Sequence, residues 1–487
     1  MMDYDEIKRC LGDFEEKYDV YRYLFEGWSV WSLLRHSVTH ALVRKDSLPV
    51  PPKHASKIMS RRERIIETAK DLLFLVRPRR YRSTLVVTCS SVHTESALGK
   101  AKDWLFDDYC GSFKNLVKLE RINNRSFFEH HGKQFIPRQL SDCGFHALTR
   151  FSRVGSLSDR EKSDVAELSG QIESEFQIDG CSEKELEQRL SNFARSKKVW
   201  GFICKRLKAN LIVCDDGYYQ HGLIAGAKEM GCGVIELQHG AFVPSGPEYG
   251  WPSQAYKYRE TIPLPDRLFL FGEHSKEMLD RDDFWRERIR VIGSSRIDAY
   301  RFDSESTVKS SSGPVRILFT SQGICAEQVV LFLKDFMRLF QPWRDVQLVI
   351  RLHPAFDFHP EIYRDGFVGD SRVTIMDSKG AESVYGSLKA ADLHLSVSST
   401  CHFDALALGT PSVVLAFPSH EIMSDLWERG HAGFARTPID LYDYARAIVG
   451  QRAPRELSDF YYKSGAKRNF EHEVSEYFRN QRSTVVA

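Results

Sequence analysis

The stretch Asn210–Gly240, NLIVCDDGYYQHGLIAGAKEMGCGVIELQHG, decides the fold. Leu211-Ile212-Val213-Cys214 is a continuous apolar run, and a helical pattern follows from about Gln220 to Met230. Gly231-Cys232-Gly233 then supplies a turn, and Val234-Ile235-Glu236-Leu237 a second strand. Strand, helix and strand at this spacing predict a right-handed crossover between two parallel strands. Runs that are apolar throughout, instead of alternating, place that sheet between covering helices.

The same pattern extends in both directions. Thr84–Cys89 reads as a strand ending in Ser90-Ser91, Arg267–Gly272 as another that leads into a helix at Ser275, and Arg290–Gly293 as a further strand. Residues 137–198 read as a polar helical insertion, and the first eighty residues as helices broken at Pro49-Val50-Pro51-Pro52. At Ser304–Pro314 the composition turns to serine, glycine and charge without apolar periodicity, which marks a linker. Alternation then restarts with Val315–Phe319, a helix over about 326–340, and strands at Val346–Arg351, Arg372–Met376, Leu393–Val397 and Ser412–Leu415. Helices are expected near 381–390 and 400–408, and the tail is helical from about Glu456 to Arg479. The expected fold class is α/β, with two Rossmann-like doubly wound domains facing a central cleft and an N-terminal helical extension. The divisions are 1–82 for the helical segment, 83–303 for the first domain, 314–455 for the second, and 456–487 for a helix crossing back onto the first.

Composition narrows the function. A chain of 487 residues exceeds what one core organises, and a net charge of +2 lacks the electrostatic footprint of a nucleic-acid binder. Ten cysteines without C-x-x-C spacing, several inside apolar runs, read as reduced thiols. The acidic opening Met1–Glu6 is no signal peptide, and no run of about 18 apolar residues appears, so a cytoplasmic protein is expected. The basic run Arg77-Pro78-Arg79-Arg80-Tyr81-Arg82, just after Leu72–Val76, fits either contact with an anionic membrane surface at the inner face or a simply solvated helix exit.

Open parallel sheets bind ligands outside the carboxyl ends of their strands, and the polar motifs of this chain fall at such ends. Asp215-Asp216-Gly217 follows one strand, and adjacent residues there point opposite ways, so one carboxylate at most faces a ligand. That carboxylate fits a general base, or equally a helix cap in an ordinary turn. Gln238-His239-Gly240 ends the next strand, which brings His239 near Asp216, and Ala241–Pro265 reads as a loop lining an acceptor pocket. In the second domain, Arg351 and His353 of Arg351-Leu352-His353-Pro354 suit charge on a leaving phosphate. Ser398-Ser399-Thr400 opens a helix and suits phosphate oxygens or a plain cap, as do Ser321 and Gln322 after the domain's first strand. His359-Pro360 reads as a surface turn.

With these motifs in this order, residues 205 to 450 resemble the GT-B glycosyltransferases of bacterial surface-polysaccharide assembly. Asp215-Asp216-Gly217, His353-Pro354 and Ser398-Ser399 are similar to the acidic-acidic-Gly, His-Pro and Ser-Ser motifs of bacterial sialyltransferases and related CMP-sugar transferases. The resemblance implies Asp216 as base, with His239 as a second candidate, His353 as partner of the departing phosphate, and Ser398 and Ser399 as its ligands. Asp404 in Asp404–Pro411 resembles the acidic residue that holds the nucleotide ribose in many such transferases. Gln238-His239-Gly240, Pro265–Leu268 and Val291–Arg296 resemble capsule and lipopolysaccharide transferases, including those using CMP-Kdo.

Taken together, the resemblance implies inverting transfer from a nucleotide-sugar donor, CMP-linked by preference, to a glycan or glycolipid acceptor. No cofactor and no metal are expected, since Arg351, His353 and helix dipoles suit the leaving charge. Three alternatives stay open. Arg351–Pro354 with a later Ser-Ser-Thr also resembles CDP-glycerol polymerases. A UDP-N-acetylglucosamine 2-epimerase shares the fold but is expected to carry His-Arg-Glu-Asn where this chain has His353-Pro354-Ala355-Phe356. A non-catalytic assembly partner would bind no nucleotide.

Overall fold

Both apolar-strand series form parallel sheets. The computed structural model describes residues 4–45, 60–76, 85–90, 94–97, 100–111, 113, 115–121, 139–242, 248–279, 284–302, 313–340, 345–353, 357, 359–377 and 383–485. Arg77–Arg82, residues 303–312 of the expected linker, and Pro354 lie outside them. By packing, the chain divides into one unit of Met1–Leu270 with Lys276–Arg290, and another of Phe271–Ser275 with Val291–Ala487.

The large sheet of the first unit has seven strands: β1 (Leu85–Ser90), β2 (Leu116–Arg121), β3 (Gln139–Ser141), β4 (Leu211–Cys214), β5 (Gly233–Leu237), β6 (Arg267–Leu270) and β7 (Ile289–Val291). Their order is β7-β6-β5-β4-β1-β2-β3, so the chain starts mid-sheet and reverses direction between β1 and β4. Register pairs Leu85 with Leu211 and Cys214 with Glu236, all parallel. Helices α1 (Tyr4–Tyr18), α2 (Val30–Lys45), α3 (Arg61–Val76), α4 (Cys143–Phe151), α5 (Asp159–Phe176), α6 (Glu183–Leu207) and α7 (His221–Glu229) belong to this unit. The polar insertion is therefore α4 to α6, preceded by β3. One face of the 25-residue α6 is apolar, and Val199, Trp200, Ile203 and Leu207 pack with Ile212, Leu223 and Val234 in one core. Buried apolar area of this kind stabilises by about 25 cal/mol per Å².

A buried polar knot ties the N-terminal helices together. Glu15 Oε1 accepts from Arg35 Nε at 2.6 Å, Trp31 Nε1 at 2.7 Å and the Tyr21 hydroxyl at 3.0 Å, and the Arg35 guanidinium lies over the Trp251 ring.

The second unit has β8 (Val315–Thr320), β9 (Val346–Arg351), β10 (Val373–Met376), β11 (Leu393–Ser396), β12 (Ser412–Leu415) and β13 (Gly433–Ala435). The order β10-β9-β8-β11-β12-β13 repeats the topology of the first sheet, with its reversal between β8 and β11. Helix α8 (Ser295–Phe302) precedes the sheet, and α9 (Ala326–Phe340) buries Val329, Val330, Leu333, Phe336, Met337 and Phe340 at helical spacing against it. A short helix, α10 (Cys401–Ala407), follows β11.

The tail is two helices, α11 (Arg455–Tyr461) and α12 (Ala466–Val485), where one was expected. Gly465 at φ 78° breaks it, and Lys463 N donates to Phe271 O at 2.8 Å in the gap. A Cβ on Gly293 would lie 1.9 Å from Lys463 O, and one on Gly272 would lie 2.3 Å from Phe460 O. This close fit is why Phe271–Ser275 and Val291–Phe302 cluster with the second unit.

Candidate functional site

In the first unit the polar groups gather after β4 and β5, beside the reversal of strand order where open sheets bind ligands. Asp215 is fully buried, while Asp216 is partly open and adopts a left-handed backbone at φ 48°, which aspartate tolerates better than most residues. Asp216 makes no side-chain cap bond to the short turn Gly217–Tyr219, which disfavours the plain cap. Its Oδ1 instead lies 2.8 Å from His239 Nε2, and the Tyr218 hydroxyl reaches the same oxygen at 3.4 Å. Gln238 is buried and donates from Nε2 to Gly240 O at 2.7 Å.

Beneath the turn sits a carboxylate that motif reading passed over as part of a strand. Glu236 is 1% exposed, and its Oε1 accepts from Gly217 N at 2.9 Å and from the Tyr249 hydroxyl. A Cβ on residue 217 would lie 2.2 Å from Glu236 Oε2, so glycine is required for the close approach. The available signal was a lone Glu in an otherwise apolar, fully buried strand, because acids are almost never buried unpartnered.

Electrostatics differ sharply among these groups. Burial pushes the Glu236 carboxyl up to about 7, against the Tyr249 and Gly217 bonds that favour the anion. Burial pulls the His239 imidazolium down, but the bond to Asp216 and the charges of Asp216, Asp215 and Glu236 outweigh it and hold its pKa above the ordinary value. Close by, His36 of α2 packs on Tyr218 and Tyr219, and burial lowers it to about 3, leaving a neutral ring. A cavity of about 660 Å³ opens beside Tyr219, lined by His36, His40, Gln177, Asp179 and Arg189. Arg189 is held there by bonds to Ser37 Oγ at 2.7 Å and Gly180 O at 3.4 Å. Ligand pockets run roughly 300–1,000 Å³, so this one has room for a sugar-sized group.

In the second unit His353, Ser321 and Ser398 follow the adjacent strands β9, β8 and β11. Gln322 Oε1 accepts from Ser398 N at 2.9 Å and from Ser398 Oγ at 3.3 Å, so Gln322 and Ser398 meet at the reversal of this sheet. Ser321 is 2% exposed, and its hydroxyl donates to Asp357 Oδ1 at 2.8 Å and lies 2.7 Å from the Tyr363 hydroxyl. The backbone N–H of His353 donates to the same Asp357, a partner with no sequence signal of its own. Burial lowers the His353 pKa, so its ring is neutral near pH 7 and offers a hydrogen bond instead of a charge. Arg351 is buried and donates from Nη1 to Ser387 Oγ at 3.3 Å. Ser399 Oγ accepts from Cys401 N at 3.2 Å, and Thr400 is exposed. Asp404 is 6% exposed and accepts from the Tyr462 hydroxyl, and burial pushes its carboxyl up to about 6. Its carboxylate is thus engaged with the tail segment. His359 is an exposed turn residue beside Glu361. Among the described residues, no three His, Cys, Asp or Glu side chains gather to hold a metal ion.

Two doubly wound sheets in one chain, each with polar groups at its reversal point, define a class of architecture. No family model and no curated protein matches the sequence. Solved structures similar to it include a putative UDP-N-acetylglucosamine 2-epimerase from Listeria monocytogenes, at TM-score 0.50 and 11% identity, covering 82% of this chain and 98% of the other. They also include the UDP-GlcNAc 2-epimerase of Methanocaldococcus jannaschii, at TM-score 0.50 and 13% identity, covering 81% and 99%. At such identities the likeness speaks for the fold alone. The chain has the GT-B fold, built of two Rossmann-like α/β domains.

Proposed function

We propose that this protein is a glycosyltransferase that moves a sugar from a nucleotide donor, CMP-linked by preference, to a glycan or glycolipid acceptor of the cell surface. The observation that carries the proposal is the 2.8 Å pair of Asp216 and His239 on a left-handed turn at the end of β4. A carboxylate fixed by an imidazolium is pre-aimed, and proton transfer from a positioned base contributes typically 10²–10⁴-fold. In the proposed step, Asp216 takes the proton of the acceptor hydroxyl while its oxygen attacks the anomeric carbon. The bond from that carbon to the donor phosphate breaks, with inversion, and the electron pair leaves on the phosphate. Arg351 supplies charge toward it, and neutral His353, Ser398 and Ser399 supply hydrogen bonds. The acceptor enters by the cavity at His36, His40, Tyr219 and Arg189, whose rings and guanidinium suit a hydroxyl-rich or anionic sugar. These groups need no metal to take the leaving charge. Against an epimerase stands the sequence His353-Pro354-Ala355-Phe356, which lacks the expected His-Arg-Glu-Asn.

The decisive experiment is a thermal-shift screen with CMP, CDP, UDP and GDP, followed by donor turnover in wild type and Asp216→Asn. CMP-selective stabilisation and a loss of transfer of at least about 10²-fold in the variant are expected. Selectivity for UDP or GDP would overturn the CMP assignment, and wild-type turnover in the folded variant would overturn the base. Binding of no nucleotide at all would overturn the enzyme.

A further inference from the structure

Helix α3 turns two acids inward and an apolar stripe outward. Glu67, Asp71 and Leu75, one turn apart, form its buried face. Asp71 accepts from Ser141 Oγ at 2.5 Å, Gly144 N at 2.9 Å and Ser141 N at 3.2 Å, so hydrogen bonds join the apolar packing of Leu75 in holding α3 to β3 and α4. On the opposite stripe, Ile65 is 60%, Leu73 57% and Val76 57% exposed, with Ala69 between them and Ile66 alongside at 42%. Soluble helices bury such a stripe.

Both ends of α3 are secured, so the face is presented on a fixed element. Ser60 and Glu63 form reciprocal cap bonds at 2.8 and 3.2 Å, which occupies the one exposed acid of the first turn. Arg206 of α6 donates to Leu75 O at 3.0 Å and Val76 O at 2.8 Å, capping the last carbonyls. Phe202, one turn before Arg206 on α6, is 41% exposed. The charge around this face has one sign: Arg61, Arg62 and Arg64 are exposed on its first turn. Lys70 of the same helix is exposed as well, while its acids Glu67 and Asp71 are buried, in a chain whose net charge is +2.

We propose that the outward face of α3 docks this protein on the surface of an anionic lipid bilayer, with Ile65, Leu73 and Val76 entering the headgroup boundary and the flanking bases pairing with lipid phosphates. A second copy of the chain would have to bring a complementary acidic rim, and the face itself is basic. No helix among the described residues is long and apolar enough to cross a membrane, so the contact lies on the surface.

Co-sedimentation of the full chain with phosphatidylcholine vesicles, and with vesicles containing phosphatidylglycerol, tests this independently of nucleotide binding or turnover. Binding to the anionic vesicles that weakens as salt rises is expected. The double variant Ile65→Glu/Leu73→Glu, at exposed positions, is expected to lower the bound fraction at least about ten-fold. Arg61→Glu and Arg62→Glu are expected to lower it about five-fold each. Equal binding to neutral vesicles, or none to anionic ones, would overturn the proposal. So would a concentration-dependent dimer that the same variants abolish.

Discussion

At the scale of single residues, Asp216 and Glu236 show how neighbouring carboxylates acquire different properties. Asp216 is partly open and bonded to an imidazolium, whereas Glu236 is enclosed under Gly217 and Tyr249. With its carboxyl pushed up to about 7 from an ordinary 4.5, Glu236 keeps its proton when folded at pH values where the unfolded chain has lost it. Folding therefore loses stability as pH rises from about 4.5 to about 7, by an amount on the order of 3 kcal/mol. Glu236→Gln keeps an acceptor for Gly217 N–H and Tyr249 and removes the titration. Denaturant unfolding across this range should show a flatter pH dependence and a gain above pH 7 relative to wild type; an unchanged slope would refute the assignment. The Asp-Asp-Gly and Gln-His-Gly motifs were legible because each follows an apolar run. Glu236 left only the trace of a lone acid in an apolar strand, and Tyr249 and Asp357 left none, since a side chain becomes a site residue through what packs on it.

At the scale of elements, most strands and the insertion helices were readable from periodicity, β2, β3 and β13 were not, and the N-terminal helices were readable only in outline. Their attachment depends on Glu15, Trp31 and Arg35, which come from two helices and look like ordinary surface or core residues in the sequence. Arg35 is 4% exposed, and its removal leaves the Glu15 carboxylate buried without its counter-charge. Loss of one partner from a buried pair costs about 3–5 kcal/mol. Arg35→Ala is expected to lower the unfolding free energy of the first unit by that amount in urea titration, and a cost below about 1 kcal/mol would show the pair to be unimportant. The expected single helix over 456–479 failed for a related reason. Lys463-Ser464-Gly465 interrupts it, and Lys463 there bonds to Phe271, far away in sequence.

At the scale of the whole molecule, the parallel pairing of β4 with β5 follows from the strand-helix-strand pattern between them. Which segments belong to which unit does not. Phe271–Ser275 and Val291–Phe302 precede the serine-rich stretch, yet they pack with the tail, where Arg301 donates to Tyr462 O at 2.7 Å. Residues 315–487 expressed alone would lack this surface and expose Phe460 and Tyr462. Such a piece is expected to unfold without a cooperative transition in calorimetry, and cooperative melting of a monomer would contradict the division.

By itself, then, the sequence determined the α/β class, the two wound sheets and the strand ends at which polar motifs stand. These are properties of period and order along the chain. The adjacency of β4 and β5 also brought His239 near Asp216, while tertiary structure alone decided that Glu236 lies beneath them, that Asp404 is held by Tyr462, and that α3 faces an apolar stripe outward. Each of these depends on contacts between residues distant in sequence, and on burial that sets charge, and no local pattern records either.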